Sequence, residues 1–233
     1  QRLSRGLGDV YKRQLLASKS ERRLEWLDQN LSLLGAKIDS RPLLASEINA
    51  IQGLDVRKQV EMVCRDKAGN AVIEQSISES DDGVKYDVIL VSDTMIEDPD
   101  DPRLSIGKPN NELVATSILM RLSGRRHRVW TSTSVLFPPG TEKAGKIIGG
   151  GWIEKNYTSS ATVEFSELNH DSMEELVSSE SWRGKAGGYD LAGIAGKYCH
   201  LIEGEEVTVL GISGESIEYL KFILSDESYF SEL

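Results

Sequence analysis

The feature that most constrains this chain is an apolar run that stops abruptly at three polar residues. Residues 84–91 end in Val88-Ile89-Leu90-Val91 and are predicted to form a buried strand. Ser92-Asp93-Thr94 follow directly, so we predict that they stand at the carboxyl end of that strand. Ligands of open α/β sheets bind in the crevice at that end. A carboxylate such as Asp93 can hold a divalent cation there or take a proton from water. The alternative is that Asp93 only caps the next turn.

Strand and helix patterns alternate along the chain, which predicts the α/β class. Strands are predicted at 15–17, 84–91, 129–137, 162–165 and 206–210, and helices at 21–34, 56–72, 111–122, 173–179 and 215–224. Residues 138–160 are rich in glycine and lysine and are predicted to form a long hairpin or loop excursion. Residues 1–14 have no helical or strand period and are interpreted as a non-native, disordered leader. A single domain is therefore predicted over 15–233.

The composition excludes several classes of partner. Lys and Arg number 27 against 37 Asp and Glu, a net charge of −10, so we predict no nucleic-acid partner and expect any anion site to be a local cluster of cations. No apolar stretch approaches the roughly 20 residues of a membrane span. Cys64 and Cys199 form no CxxC pair, which predicts free thiols in a reducing, cytoplasmic compartment. A nucleic-acid-binding alternative would rest only on four arginines, at positions 121, 125, 126 and 128.

The first predicted helix begins with residue types that suit a phosphate. Ser18 and Ser20 precede Arg22 and Arg23 in a strand-to-helix turn. The first N–H groups of a helix are unpaired and its dipole favours an anion, while guanidinium groups match phosphate oxygens in geometry. The alternative is a helix cap followed by two solvated arginines.

Three lysines are candidates for binding the same anion. Lys108 lies between Gly107 and Pro109, and the proline fixes its own φ and pushes Lys108 toward an extended backbone. Lys67 and Lys185 would add two further charges, although each lysine alone is more typical of a protein surface. A dense acidic run at 97–101 does not have the spacing of an EF-hand and is predicted to be a solvated loop.

Together these segments, in this order, resemble the Maf family of nucleoside triphosphate pyrophosphatases. The matching segments are 16–23, 67–68, 92–94, 107–109 and 185–189, with a further arginine-rich run at 122–129. The resemblance covers roughly 15–213 and implies a Maf/ITPase-like α/β fold, with a central mixed twisted sheet and a cleft between two lobes. It implies hydrolysis of a nucleoside triphosphate to a monophosphate and pyrophosphate, assisted by Mg or Mn, and it raises the expectation of a homodimer.

The resemblance also assigns roles to individual residues. Asp93 is implied to be the general base and the metal-site residue. Positions used around the substrate and its phosphates fall on Ser18, Arg22, Arg23, Lys67, Thr94, Lys108 and Lys185. Glu47 matches an acidic position after the first helix and is a candidate for the metal or the groups around it. Ala192 stands where the family pattern has a glutamine linked to base selection, and an alanine cannot make an amide's paired hydrogen bonds. The preferred base therefore does not follow.

Two alternatives stay open beside this interpretation. One is an inosine or xanthosine triphosphate pyrophosphatase, whose fold is related. The other is a non-catalytic nucleotide-binding regulator linked to septum formation. Retention of Asp93 together with Lys67, Lys108 and Lys185 argues for catalysis.

Overall fold

The computed structural model describes residues 12–46, 48–51 and 53–229, and the side chains through residue 225. The strands are β1 (Arg13–Leu16), β2 (Lys37–Ser40), β3 (Val88–Glu97), β4 (Ser105–Ile106), β5 (Arg126–Phe137), β6 (Lys146–Ile147), β7 (Ile153–Phe165) and β8 (Cys199–Glu203). The helices are α1 (Glu21–Leu31), α2 (Val56–Asp82), α3 (Glu112–Leu122), α4 (His170–Ser178), α5 (Glu206–Leu210) and α6 (Gly214–Tyr229). No helix in these ranges combines the length and the apolar character needed to cross a membrane.

The predicted mixed sheet is confirmed. Its eight strands follow the order β2-β1-β3-β5-β7-β6, with β4 paired to β3 and β8 paired to β7. Strand β1 is parallel to both of its neighbours, whereas β5 is antiparallel to both β3 and β7. The α/β class follows from the helices that cover both faces of this sheet.

Alternation along β1 and β3 decides which helix each side chain meets, because successive strand residues point to opposite faces. Leu16 and Leu90 share one face with the apolar residues of α1 and α6. Leu15, Ile89 and Val91 share the other face with α2. A third apolar cluster lies at the opposite end of the sheet, under α3, α4 and the segment around Tyr189. The cleft described below opens between these groups of elements.

The central strand β3 is longer than predicted, and this changes the place of the polar residues. On one side β1 pairs with residues 88–90 and β4 pairs with Ile96 and Glu97. Residues 91–95 therefore border an opening between the two partners. Ser92, Asp93 and Thr94 lie inside the strand, so the prediction that they follow its carboxyl end was wrong. Pairing of residues 89–96 with β5 on the other side keeps them extended.

Other predicted boundaries were also wrong. Residues 206–210 form helix α5, although their β-branched residues favour a strand, because both Val207 and Thr208 must be buried and Gly211 ends the segment with φ 110°. Arg13 and Gln14 belong to β1 rather than to the leader, and Gln14 is fully buried. The remaining leader prediction, for residues 1–11, lies outside the described residues. The loop excursion that was predicted over 138–160 ends earlier than expected, because strand β7 begins at Ile153.

The acidic run after β3 is only partly the solvated loop that was predicted, because Asp98 is held in a structural ion pair while Asp100 and Asp101 are about half exposed. Asp98 is buried and accepts hydrogen bonds from Arg121 Nε at 2.8 Å and Nη2 at 2.7 Å. These bonds lower the pKa of Asp98. Arg125 pairs with Asp100 through Nη1 and Nη2, in a position that is open to solvent. Two arginines of the nucleic-acid alternative are thus already neutralised by this protein's own carboxylates.

Candidate active site

A cleft of about 770 Å³ lies along the open edge of β3. It contains every sequence-predicted site residue that the structure describes. These are Ser18, Arg22, Arg23, Lys67, Asp93, Thr94, Lys108 and Lys185. Glu47 lies outside the described residues. The arrangement brings cations from four segments of the chain to one surface, as an anion site in an acidic protein requires.

The N-terminus of α1 forms one wall of the cleft. Ser20 caps the helix by accepting a hydrogen bond from the backbone N–H of Arg23 at 3.4 Å, and its own N–H donates to Ser18 Oγ at 3.1 Å. The two serines therefore fix the turn from β1 into α1. Because the positive end of the helix dipole lies at this turn, an anion in the cleft is favoured there.

Consecutive residues of β3 hold two cations on opposite faces of the sheet. Asp93 shares the face of Ile89 and Val91, and its Oδ1 lies 2.6 Å from Lys67 Nζ of α2. The two side chains are only 11% and 12% exposed. Thr94 points the other way, where Arg23 Nη2 of α1 donates to its Oγ1 at 3.1 Å. The open edge of β3 thus lies between a lysine–carboxylate pair and an arginine–threonine pair.

The loops that carry Lys108 and Lys185 are joined to each other. The N–H of Gly187 donates to the carbonyl of Gly107 at 3.0 Å. Gly187 has φ 71°, and a Cβ there would lie 2.3 Å from Ile96 Cδ1, so only glycine permits this contact. Both lysines are consequently placed with respect to β3 by one close contact.

Burial and neighbouring cations both act on Lys185. Burial lowers the pKa of its ammonium group, and the positive charges of Arg22 and Arg23 lower it further. Like charges in one cleft repel one another, and a bound anion relieves that repulsion. This part of the cleft is therefore suited to a negatively charged ligand.

Asp190 is a site residue that sequence reasoning missed. It is a buried carboxylate in the cleft and forms an ion pair with Arg22. Its Oδ1 also accepts the backbone N–H of Ala192 at 3.2 Å, which closes the turn next to that residue. An acid inside the glycine-rich segment was the available signal. Arg22 and Arg23, adjacent in sequence, therefore have different partners.

The donors in the cleft fit one kind of metal site. No group of three histidine, cysteine or carboxylate side chains within 12–46, 48–51 and 53–225 could hold an ion by itself. Asp93 offers a single carboxylate, beside cations that suit phosphates. Mg²⁺ is commonly bound by one or two carboxylates together with substrate phosphates and waters. The residues present therefore fit an ion that arrives with its phosphate ligand, with Asp93 as a protein ligand.

This chain is similar over most of its length to known proteins. The family model described as Maf-like protein matches residues 13–220. A dTTP/UTP pyrophosphatase of Rhodopseudomonas palustris is 30% identical over 205 residues, which cover 85% of each chain. One of Nitrobacter winogradskyi is 30% identical over 213 residues, covering 88% of this chain and 89% of the relative. A HAM1 protein structure from Coxiella burnetii covers 92% of this chain and 98% of its own, with 14% identity and a TM-score of 0.44. The match over most of its length shows that this chain belongs to the Maf family.

Proposed function

We propose that this protein hydrolyses a nucleoside triphosphate between its α and β phosphates, releasing a nucleoside monophosphate and pyrophosphate. The observation that carries the proposal is the pair of contacts made by neighbouring residues of β3. Asp93 is held by Lys67 and Thr94 by Arg23, at one edge of a cleft that is otherwise lined by cations. The names of the Maf relatives, dTTP/UTP pyrophosphatase, support the same reaction class.

The cations account for binding and for stabilisation of the transition state. Negative charge spreads over the phosphoryl oxygens as a phosphoanhydride is cleaved, so positioning and electrostatic stabilisation dominate catalysis. Arg23 offers a guanidinium fork, and Lys108 and Lys185 offer ammonium groups from two other segments of the chain. The N-terminus of α1 adds backbone dipoles to this field.

Asp93 is the proposed general base. It lies on the open edge of β3, where a water beside the phosphates can reach it. Lys67 binds Oδ1 and fixes the carboxylate, so that Oδ2 is the oxygen available to take the proton of the attacking water. The water oxygen then bonds to phosphorus as the anhydride P–O bond breaks and pyrophosphate departs. A divalent cation held by Asp93 and the phosphates would neutralise developing charge.

This chain differs from the family pattern at Ala192, a position linked to recognition of the base of the substrate. Ala192 is exposed in the cleft and presents no amide to a base. Asp190, two residues before Ala192, forms an ion pair with Arg22, so this ion pair lies in the same part of the cleft as Ala192. We therefore propose the reaction class without a base preference, which a panel of nucleotides decides.

The test is pyrophosphate release from dTTP, UTP, CTP, ATP, GTP, ITP and XTP with Mg and with Mn. In the best of these reactions, Asp93→Asn should lower kcat at least about a hundredfold, because the base and metal ligand are lost. Asp98→Asn is the matched control, since Asp98 is also a buried carboxylate paired with a cation, but outside the cleft. It should keep kcat within about threefold.

Two results would contradict the proposal in different ways. Full activity of Asp93→Asn would remove Asp93 from the mechanism while leaving the reaction. Tight nucleotide binding without pyrophosphate release from any nucleotide would instead favour the non-catalytic regulator. A strong preference for ITP and XTP would favour the inosine or xanthosine triphosphate pyrophosphatase.

A further inference from the structure

A line of hydrogen bonds runs from the cleft into the protein interior. Arg23 Nη2 donates to Thr94 Oγ1 at 3.1 Å, and Thr94 Oγ1 lies 3.0 Å from Thr131 Oγ1. Thr131 Oγ1 in turn donates to the backbone carbonyl of Thr208 at 2.7 Å. Thr131 lies on β5, is fully buried and does not line the cleft. The line therefore connects a cleft cation with Thr208 of helix α5, a buried residue that does not line the cleft.

The directions of these bonds follow from the chemistry of the last acceptor. A carbonyl oxygen can only accept, so the single hydroxyl proton of Thr131 is committed to Thr208. The oxygen of Thr131 must then accept the proton of Thr94. With its own proton used, Thr94 can only accept from Arg23. Every hydroxyl in the line is thus oriented by one buried carbonyl.

The segment that supplies this carbonyl also contacts the guanidinium group from another side. Gly211 ends α5, and a Cβ at this position would lie 2.3 Å from Arg23 Nη2 and 2.5 Å from Nε. The missing side chain therefore leaves the space in which the guanidinium lies. Gly211 thus leaves room for the guanidinium group, whereas the hydrogen bonds that reach Arg23 begin at the carbonyl of Thr208.

We infer that Thr131 is a positioning residue that sets the direction of Arg23 by fixing the hydroxyl of Thr94. This deepens the proposed function and rests on it. Thr94 has no proton to give a substrate, so its part is to present a lone pair to Arg23. Without Thr131, the Thr94 proton could turn toward Arg23, where a donor would face a donor. The guanidinium would then lose its fixed direction toward the phosphates.

A second line of bonds provides a matched control two residues away on β5. The N–H of Ser213 donates to Thr133 Oγ1 at 2.9 Å, and Thr133 Oγ1 lies 3.0 Å from Ser92 Oγ. Ser92 Oγ donates to the carbonyl of Gly211 at 2.6 Å. Thr133 is buried to the same degree and anchors the same turn. Its line of bonds ends on the carbonyl of Gly211 and includes no hydrogen bond to Arg23.

The experiment compares Thr131→Val, Thr131→Ser and Thr133→Val with the unchanged protein. Each is assayed for kcat/KM in pyrophosphate release, for melting temperature, and for the Kd of inorganic tripolyphosphate by calorimetry. The two valine variants should lose similar melting temperature, since each removes one buried hydroxyl. Only Thr131→Val should lower kcat/KM, by about tenfold or more, and weaken tripolyphosphate binding by about threefold or more. Thr131→Ser keeps the hydroxyl and should restore both to within about threefold.

Equal losses of kcat/KM and of tripolyphosphate affinity in the two valine variants would overturn the inference, because Thr131 would then act only through stability. Failure of Thr131→Ser to restore them would overturn it as well. If the unchanged protein releases no pyrophosphate, the proposed reaction fails, but the tripolyphosphate affinities still decide the role of Thr131. Absence of tripolyphosphate binding together with unchanged kcat/KM in Thr131→Val would overturn the inference but not the proposed reaction, which pyrophosphate release decides.

Discussion

His127 should make the folded protein sensitive to mild acid. The residue lies on β5, is 3% exposed and contacts the ring of Phe165. Its Nε2 lies 2.7 Å from the hydroxyl of Tyr189, and its Nδ1 is buried with no hydrogen-bond partner among the described residues. A protonated ring would need an acceptor for Nδ1 that this pocket lacks. Burial accordingly lowers the pKa of His127 from 6.5 to about 4.

The size and sign of the effect follow from proton linkage. The folded state binds the proton less tightly than the unfolded state, so the stability that neutral His127 provides is complete above pH 6.5. It is lost as the pH falls from 6.5 toward 4. With about 1.4 kcal/mol per pH unit, the loss at pH 5 is about 2 kcal/mol and approaches about 3 kcal/mol near pH 4. Tyr189, the hydrogen-bond partner of His127, also lines the cleft, so protonation of His127 would alter a contact of a cleft residue.

The assay is urea denaturation at pH 7.5, 6 and 5, with unfolding monitored by tryptophan fluorescence. His127→Gln removes the titration while keeping a polar group for Tyr189. It should be less stable than the unchanged protein at pH 7.5, and the gap should close by about 2 kcal/mol at pH 5. His200→Gln, at an exposed position, should follow the unchanged protein at every pH. A gap for His127→Gln that is the same at all three pH values would refute the reasoning.

Two further predictions concern the cleft. Since burial and the charges of Arg22 and Arg23 lower the pKa of Lys185, its ammonium should deprotonate at a lower pH than an ordinary lysine, and nucleotide affinity should fall there as the pH rises. Lys185→Arg stays charged, so the decrease of 1/KM at high pH should occur at a higher pH in this variant. If the decrease occurs at the same pH in both proteins, deprotonation of Lys185 is not its cause. Ala192→Gln should change the ranking of kcat/KM among dTTP, UTP, CTP, ATP, GTP and ITP more than the maximal rate, by on the order of 1–3 kcal/mol of discrimination. An unchanged ranking would show that position 192 does not read the base.

The N-terminus of α1 and the family of the protein could be predicted from local sequence. Ser20 caps the helix as its position before two arginines suggests, because capping depends only on residues within one turn. The order of Asp93, Lys67, Lys108 and Lys185 identified the cleft because each lies in a short segment with its own signal. Glu47 and the leader remain predictions.

The pairing of those residues could not be read from the same segments. That Asp93 faces Lys67 while Thr94 faces Arg23 depends on the alternation of β3 and on which helix covers each face of the sheet. The length of β3 was missed because Ser92 and the following residues look like a strand end. Pairing with β5 extends the strand regardless of their polarity.

Local sequence is enough to predict the apolar strand, the alternation of elements and the set of cations, because hydrophobic period and helix caps act over a few residues. Contacts between distant segments were needed to show that 206–210 is a helix, that Asp190 binds Arg22 and that Thr131 supports Thr94. In each case the deciding contact joins residues far apart in the chain. Their energies depend on burial and on buried hydrogen bonds, which exist only once the sheet and its helices have packed.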